Sequence, residues 1–247
     1  MRLDKFLAHT GFGSRKDAKK LCQQRRVTIN NAAEPVRRPE THVDVTTDVV
    51  RVDGEIITYT KYVYIMANKP PGVLSAVFDP EGCKTISELV AEETGVDGLF
   101  PVGRLDKDAT GLILLTNDGI FCHRATSPKK KVAKVYYVEV DGLLTDADVA
   151  AFRAGIKIDD GYVCREAGLS IIESGIEGEA KSRAHVTLTE GRFHQVKRMF
   201  LALGKRVVLL RRVSFAGIAL PEDLAEGAVR ELTDGEVDII AHLMSEE

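Results

Sequence analysis

The stretch Gly103-Arg104-Leu105-Asp106-Lys107-Asp108-Ala109-Thr110-Gly111-Leu112 joins a charged turn to an apolar run that continues to Thr116. Turn residues bound the run on both sides, which predicts a buried strand. The turn before it sets an arginine beside a carboxylate, and a neighbouring cation favours the ionised form of a carboxylate. An isolated Arg-Leu-Asp tripeptide is usually an ordinary surface ion pair, so the rest of the chain must decide what this turn does.

Length and composition exclude several classes of protein. The 247 residues exceed one average domain, and 44% apolar residues are enough to bury a core. We expect no transmembrane helix, because the chain has no apolar run of about eighteen residues. The charged start, Met1–Lys5, lacks the apolar centre of a signal peptide. Four dispersed cysteines without a CxxC pair predict reduced thiols in a cytoplasmic protein, with neither a structural zinc nor a catalytic metal.

Positive charge is concentrated in two parts of a chain whose net charge is −3. Residues 1–38 hold ten Lys/Arg against three acids, and residues 191–212 hold seven against none. From residue 213 onward the chain is acidic, with nine Asp/Glu and one Arg. Two basic segments on a mildly acidic protein are typical of a protein that binds a polyanion, although solvated helix faces are the alternative.

The first 25 residues predict two short helices. Leu3, Phe6 and Leu7 recur at helical spacing and form one apolar stripe. Ser14 is a favourable N-cap for the second helix, with Asp17 in the place of the usual Glu of a capping box. This segment leaves a set of basic residues that we expect to contact phosphates: Arg15, Lys16, Lys19, Lys20 and Arg25.

Short β-rich pieces follow at Val27–Ile29, Val43–Val45 and Val49–Val52, and we interpret Glu55–Lys61 as a linker. The string RLDKFLA…G…SR…A…VTIN…VDG resembles the S4 RNA-binding module, with Asn30-Asn31 where many members have an Asn/Asp-Gly pair. The resemblance implies a small domain over residues 1–58. Its clustered Lys and Arg would give affinity for RNA rather than sequence reading.

Beyond the linker, strands dominate and do not alternate regularly with helices. This pattern predicts an α+β fold for residues 59–247, on a mixed, mainly antiparallel sheet. We expect strands at Tyr62–Ala67, Lys134–Val140, Ser170–Ile176, Ala184–Thr189, Val207–Leu210 and Val213–Ile218. We expect helices at Ile86–Glu93, Asp146–Ala154, Phe193–Leu203 and Gly235–Met244.

Four motifs follow one another in this part of the chain: NKPPGVL at 68–74, GRLDKDATGL at 103–112, KVYY at 134–137 and GRFHQVKRMF at 191–200. This order, behind an S4 module, resembles the RsuA-type pseudouridine synthases that modify ribosomal RNA, over nearly the whole chain. The last motif and residues 123–128 are most similar to the small-subunit branch, which implies uridine 516 of 16S rRNA as the target. The alternatives are a 23S rRNA synthase of the same family and a non-catalytic RNA-binding or ribosome-assembly protein on the same fold.

The chemistry that the resemblance implies needs no cofactor. The N1–C1′ bond breaks, the uracil rotates, and C5 joins C1′, without redox change. Charge develops at C1′ as the bond breaks, and a carboxylate can stabilise or trap it. The resemblance implies Asp106 as that nucleophile. Asp108 and Asp118 are rivals, although a turn-forming role is more typical of Asp118.

The resemblance also assigns Lys197 and Tyr136. Lys197 stands where most synthases of this fold have an Arg that pairs with the nucleophile, and Lys keeps the charge without the bidentate fork. Tyr136 matches the active-site tyrosine, which offers a ring to stack on uracil and a hydroxyl near C5. Tyr137 should then point to the opposite face of its strand and belong to the core. Ala109 replaces a Thr of the family pattern.

The remaining candidates concern RNA. Arg104 could fill the gap left by a flipped uridine, with bracing of the turn through backbone carbonyls as the alternative. Lys69 could contact RNA or support the site. The basic segment 191–212 supplies further phosphate contacts, namely Arg192, Arg198, Lys205, Arg206, Arg211 and Arg212. The expected partner is ribosomal RNA in a pre-ribosomal particle. We expect the protein to be a monomer and to have no contact with a membrane.

Overall fold

The computed structural model of the chain describes residues 1–30, 32–59, 62–176 and 181–245. Within these residues it contains seven helices and two sheets. Asn31 of the predicted turn, the end of the predicted linker and residues 177–180 of a predicted strand connection lie outside the described residues.

The N-terminal part forms two helices and a three-stranded antiparallel sheet: α1 (Leu3–His9), α2 (Arg15–Gln23), β1 (Val27–Ile29), β2 (Val50–Val52) and β3 (Glu55–Ile57). The predicted capping box is confirmed, because the Ser14 side chain accepts from the Asp17 amide and the Asp17 carboxylate accepts from the Ser14 amide. The apolar stripe of α1 is buried against Ala18 and Cys22 of α2 in a separate small core. Local apolar spacing and one cap thus account for the helix pair.

Two predictions in this part are wrong. Residues 43–45 form no strand, and only an isolated bridge joins His42 to Arg2. Residues 55–57 are a strand rather than a linker, because Asp53 and Gly54 both have positive φ and turn the chain back so that Glu55 pairs with Val52. A two-residue turn of this kind matches the twist of an antiparallel hairpin.

The larger part is built on a nine-stranded sheet with helices on both faces. Its strands are β4 (Tyr64–Lys69), β5 (Phe100–Pro101), β6 (Thr110–Thr116), β7 (Lys134–Asp141), β8 (Gly168–Glu173), β9 (Ser182–Leu188), β10 (Arg206–Phe215), β11 (Ile218–Ala219) and β12 (Val229–Glu231). Its helices are α3 (Ile86–Thr94), α4 (Gly119–Thr126), α5 (Asp146–Ala154), α6 (Gln195–Ala202) and α7 (Asp234–Ser245).

The strand order is β12-β4-β6-β10-β7-β9-β8, with β5 added to β6 and β11 to β10. The pair β6–β10 is parallel and the other pairs are antiparallel, which confirms the mixed, mainly antiparallel α+β prediction. The predicted antiparallel pairing of the strands around residues 175–178 is also confirmed, as β8 and β9. Since β6 and β10 run in parallel at the centre, the turn before β6 opens beside the middle of β10.

Strand β6 is buried on both faces. Ile113 and Leu115 belong to the core under α3, α5 and α6, whereas Leu112 and Leu114 belong to the core under α4 and α7. A strand covered on both sides has no polar face, which explains why this segment is a continuous apolar run in the sequence.

Other element boundaries differ from the predictions. The two strands predicted at residues 207–210 and 213–218 are one long strand, β10, with register shifts at two points, followed by the short β11. Helix α6 begins at Gln195 rather than Phe193, because His194 has a φ of 49° and cannot be part of a right-handed helix. The sequence did not predict α4, which Asp118 caps by accepting from the amides of Ile120 and Phe121. No described helix combines the length and the apolarity that a membrane span requires.

Gly111 permits the close contact between β6 and β10. Its φ is +99°, it pairs with Arg212, and a Cβ there would overlap the Arg212 carbonyl oxygen and lie 2.8 Å from the Arg212 amide nitrogen. We expect Gly111→Ala to lower the free energy of unfolding by about 1–3 kcal/mol in denaturant titration. Gly119→Ala is the matched control, because it adds a methyl group at the start of α4 with no heavy atom within 4 Å. Equal midpoints for the two variants would contradict this account.

Candidate active site

A cavity of about 660 Å³ opens beside the charged turn. Each of the four sequence motifs supplies part of its wall, although the motifs are spread from residue 68 to residue 200. The wall contains Leu74, Arg104, Asp106, Tyr136, Arg192 and His194. Of the three rival carboxylates, Asp106 lines the cavity, whereas Asp108 and Asp118 do not. Asp118 is the buried N-cap of α4 at the far end of β6, as its turn-forming interpretation predicted.

Ser75 holds the turn on one side of Asp106. Its buried hydroxyl donates to the Leu105 carbonyl (2.9 Å) and accepts from the Leu105 amide (3.0 Å). One hydroxyl thus satisfies both backbone groups of the residue before Asp106. Because neither group can reach water, the hydroxyl fixes the path of the chain there.

Lys69 holds the other side of the turn. Its side chain is completely buried, and Nζ donates to the carbonyls of Val73 (2.7 Å), Pro70 (2.9 Å) and Lys107 (3.1 Å). Burial lowers the pKa of this ammonium to about 8, against the opposing effect of Asp108 and Asp106. A direct RNA contact by Lys69, one of its two predicted roles, is therefore wrong, since the group supports the site from within.

Two basic side chains approach Asp106, whose side chain is 22% exposed. Lys197 Nζ lies 3.4 Å from Oδ2, and His194 Nε2 lies 3.6 Å from Oδ1. The predicted pairing with Lys197 is present but shared, because Lys197 donates to both carboxylate oxygens of Asp108 at 2.6 and 2.8 Å. This hydrogen bond lowers the pKa of Asp108. An ionised carboxylate in a cavity wall can act as a nucleophile towards an electron-poor carbon.

Tyr136 and Tyr137 lie on opposite faces of β7, as predicted. Tyr136 is 8% exposed and lines the cavity. Tyr137 is not in the core, contrary to the prediction. Its hydroxyl donates to Glu139, and its ring packs edge-on against His185 of the neighbouring strand. On this face of β7, Glu139 is ion-paired with Arg183 of β9, so the face is partly exposed rather than covered.

The basic segment 191–212 does not form the predicted patch. Arg198 pairs with Asp159 and Asp160 and lies outside the cavity wall, and its predicted phosphate contact stays a prediction. Lys205 pairs with Asp148, and Arg206 with Asp141. These acids come from other parts of the chain, so a local charge count could not include them. Of the predicted contacts in this segment, Arg192 does face the cavity.

Arg212, also predicted to hold phosphate, is instead a buried part of the cavity wall, with 1% of its surface exposed. Its Nε donates to the Leu112 carbonyl (2.7 Å), its guanidinium lies over the Phe215 ring, and Nη2 has no hydrogen-bond partner within the described residues. It is also the cross-strand neighbour of Tyr136. Burial lowers the pKa of Arg212. Sequence reasoning named Arg212 but missed its burial beside Tyr136, which the inward alternation of β10 could have indicated.

Arg104 and Arg192 are exposed cations of the cavity rim, as is Lys107, which donates to Cys83. Arg104 has neither an ion pair nor a hydrogen bond within the described part of the chain, so the alternative in which it braces the turn is not observed. Arg192 lies with its guanidinium carbon 3.2 Å from the centre of the Tyr162 ring. As for metals, no three His, Cys, Asp or Glu side chains converge as ligands in the described residues.

The Ser75 clamp predicts a measurable loss of stability. Ser75→Ala leaves the buried Leu105 amide and carbonyl without partners, which should lower the free energy of unfolding by about 1–3 kcal/mol. Hydrogen exchange at the Leu105 amide should accelerate as well. Ser87→Ala is the matched control, because it removes one hydroxyl bond to the Leu99 carbonyl at a partly exposed position. If both variants lose the same stability and Leu105 stays protected, the clamp does not hold the turn.

The chain matches known proteins over its whole length. Residues 63–202 match the RNA pseudouridylate synthase family and residues 1–49 match the S4 domain family. An uncharacterized RNA pseudouridine synthase of Bacillus subtilis is 40% identical over 246 residues, covering 100% of this chain and 99% of the relative. The ribosomal small subunit pseudouridine synthase A of Yersinia pestis is 36% identical (96% and 97% covered), and the ribosomal large subunit pseudouridine synthase B of Bacillus subtilis is 34% identical (96% and 93%).

One solved structure, described as a pseudouridylate synthase, superposes with a TM-score of 0.64 at 34% identity, covering 97% of this chain and 99% of the other. Both the domain order and the sheet that carries the cavity agree with this similarity. The resemblance found in the four motifs and in the N-terminal module is confirmed. The chain belongs to the RNA pseudouridylate synthases, isomerases that act on RNA, and carries an S4 domain before its catalytic domain.

Proposed function

We propose that this enzyme isomerises one uridine of ribosomal RNA to pseudouridine with Asp106 as the nucleophile. The observation that carries the assignment is the Asp106 carboxylate in the cavity wall, with Lys197 and His194 within 3.6 Å of it. Ser75 and Lys69 hold the backbone on both sides of this carboxylate, so its direction into the cavity is set before RNA binds.

The geometry suits the cleavage of a glycosidic bond. As the N1–C1′ bond breaks, its electron pair leaves with the uracil and positive charge develops at C1′. An ionised Asp106 beside the ribose either stabilises that charge or forms a bond to C1′, which C5 of the rotated uracil later displaces. The C5 proton must then leave while N1, which kept the electron pair of the broken bond, gains a proton. We propose that the hydroxyl of Tyr136 relays this transfer, accepting the proton from C5 as it gives up its own, which reaches N1 through solvent. Each of these steps requires a uridine outside its stack, and we assign Arg104 to the gap that it leaves.

We further propose 16S rRNA, at uridine 516, as the substrate. The support is the GRFHQVKRM motif, in which His194 and Lys197 stand where large-subunit enzymes more often carry an Arg pair. The Yersinia pestis relative, named for the small subunit, and the Bacillus subtilis relative, named for the large subunit, are 36% and 34% identical, so overall identity does not separate the branches. The proposed distinction therefore depends on two residues beside Asp106.

The S4 domain is the proposed RNA tether, acting as a domain of residues 1–58. Arg15, Lys16, Lys19 and Arg25 are exposed and form no ion pair within the described residues, unlike most of the cations in 191–212. Unpaired surface cations release counterions when they contact phosphates, which gives affinity that depends on salt. Strand β3 ends at Ile57, so a boundary at residue 58 keeps the small sheet complete.

The proposed nucleophile is tested by Asp106→Asn, which keeps the size and polarity of the side chain but is not a nucleophile. We expect pseudouridine formation to fall below about one per cent of wild type, with RNA affinity nearly unchanged. Pseudouridine should be mapped in 16S and 23S rRNA from a strain that lacks this enzyme and is complemented with each variant. Asp108→Asn is the matched control, since Asp108 binds Lys197 from outside the cavity, and we expect a loss below about tenfold.

The mapping also separates the substrates. Loss of pseudouridine at uridine 516 of 16S rRNA supports the proposal, and loss at a 23S position assigns the enzyme to the other branch. Substantial residual conversion by Asp106→Asn would remove the nucleophile role whichever RNA is modified.

The tether is tested by changing its charge. Neutralising Arg15, Lys16 and Lys19 together to Gln should raise KM for RNA and reduce the slope of log affinity against log salt by about two. Deleting residues 1–58 should have a larger effect of the same kind, with kcat at saturating RNA little changed. Arg206→Gln is the matched control, because this exposed cation is paired with Asp141 and should leave the slope unaltered. If the deletion lowers kcat sharply, the S4 domain positions the uridine and is not a passive tether.

A further inference from the structure

Phe193 has the largest exposed fraction, 76%, among the large apolar side chains of the described residues, and it lies at the cavity mouth. Single exposed apolar residues are common on protein surfaces, so exposure by itself indicates nothing. What distinguishes Phe193 is its stacking on His194, with ring centroids 3.8 Å apart and planes inclined by 18°. The imidazole in turn lies 3.6 Å from Asp106. A stack of two rings thus leads from the carboxylate to the surface, with one ring face open.

A buried polar network holds the loop that presents this ring. Glu190, 6% exposed, accepts from the Tyr162 hydroxyl (2.9 Å), the Arg165 amide (3.0 Å) and Gln195 Nε2 (2.7 Å). Gln195 Oε1 then accepts from the Arg192 amide at the start of the loop (2.9 Å). Because buried, satisfied hydrogen bonds fix both ends of the loop, the aromatic ring is held at the surface before any ligand binds.

The charges around the ring favour a nucleotide as the occupant. The Arg192 guanidinium is held over the ring of Tyr162, a member of the same network, and has no carboxylate partner in the described residues. Arg104, on the same cavity rim, is also unpaired within these residues. A flat apolar face next to free planar cations matches a nucleobase with its phosphate.

We propose that the open face of Phe193 is a stacking site for an unpaired base that flanks the target uridine, with Arg192 on the adjoining phosphate. The inference rests on the proposed function, because it takes the uridine at Asp106 as its reference point. It adds a second base site to the cavity, separate from that of the isomerised uracil. Stacking of a base on an aromatic ring should account for about 5- to 100-fold in RNA affinity.

The test uses the full chain carrying Asp106→Asn, so that binding is measured without turnover. The probe is a single-stranded RNA of about 20 nucleotides with one uridine and 2-aminopurine on either side of it. We expect binding to quench 2-aminopurine on one side. Phe193→Leu, which keeps apolar volume but has no aromatic face, should abolish this quench and weaken binding about 5- to 100-fold. Phe193→Trp should keep both the quench and the wild-type affinity.

Two controls make the result specific. Leu201→Ala alters another apolar residue of similar exposure, 65%, on α6 outside the cavity, and should change neither readout. Replacing the flanking base by an abasic site should weaken wild-type binding as much as Phe193→Leu does, and the two changes together should cost no more than either alone. Additive losses, or a quench that survives Phe193→Leu, would overturn the stacking site.

The outcome is separable from that of the proposed function. The stacking site is tested first by binding, in a variant with no nucleophile, and then by activity in the enzyme that keeps Asp106. If the enzyme forms pseudouridine normally with Phe193→Leu at limiting RNA, the stacking site is wrong and the function stands. If the quench is present but no rRNA position loses pseudouridine in the deletion strain, the function is wrong and a base-binding surface remains.

Discussion

The buried ammonium of Lys69 is the interaction on which the site depends. Burying a charge costs free energy, and here three backbone carbonyls offset that cost by accepting hydrogen bonds from Nζ. One of them belongs to Lys107, next to Asp106, so the first motif supports the second across the sheet. The Ser75 hydroxyl completes the support on the opposite side of the turn. The catalytic carboxylate proposed here therefore sits on a short loop that behaves as a rigid part of the β-sheet.

The charges of the chain divide into two groups with different uses. Cations of the catalytic domain are mostly occupied: Lys205 and Arg206 bind acids on neighbouring elements, and Arg212 is enclosed by the core. Among the described residues, exposed cations without carboxylate partners include Arg104 and Arg192 at the cavity rim and Arg15, Lys16 and Lys19 on α2. Internal pairs contribute little attraction for a polyanion, because their fields cancel beyond a Debye length. Helix α2 thus presents Arg15, Lys16 and Lys19 to solvent without a carboxylate partner in the described residues, on a domain other than the one that contains the cavity.

Local patterns predicted the parts of the structure that local forces determine. The capping box at Ser14, the helix at 146–154 and the doubly buried β6 follow from neighbouring residues alone. The wrong predictions concern segments whose structure depends on contacts with residues far away in the sequence. Residues 55–57 form a strand because β2 is available to pair with them, and Lys69 is buried because the carbonyls of another motif surround it. The pairing of Arg198 with Asp159 could not be predicted from the charges near either residue in the sequence, because the two are 39 residues apart. The cavity wall was predicted through motif resemblance, whereas Arg212 lay outside every motif.

Lys197 shows what a lysine at this position does that an arginine would not. An Arg fork binds one carboxylate in two parallel hydrogen bonds, whereas an ammonium is a compact charge that can serve two carboxylates. Here Nζ is hydrogen-bonded to Asp108 at 2.6 Å and remains 3.4 Å from Asp106. Asp108 therefore keeps the Lys197 ammonium close to Asp106. The ammonium is shared between the two carboxylates and does not neutralise Asp106 alone. The cluster thus places two carboxylates around one ammonium, with the His194 imidazole 3.6 Å from Asp106. In the cavity wall, the exposed cations Arg104 and Arg192 therefore surround a carboxylate, Asp106, whose cationic partner is shared with Asp108.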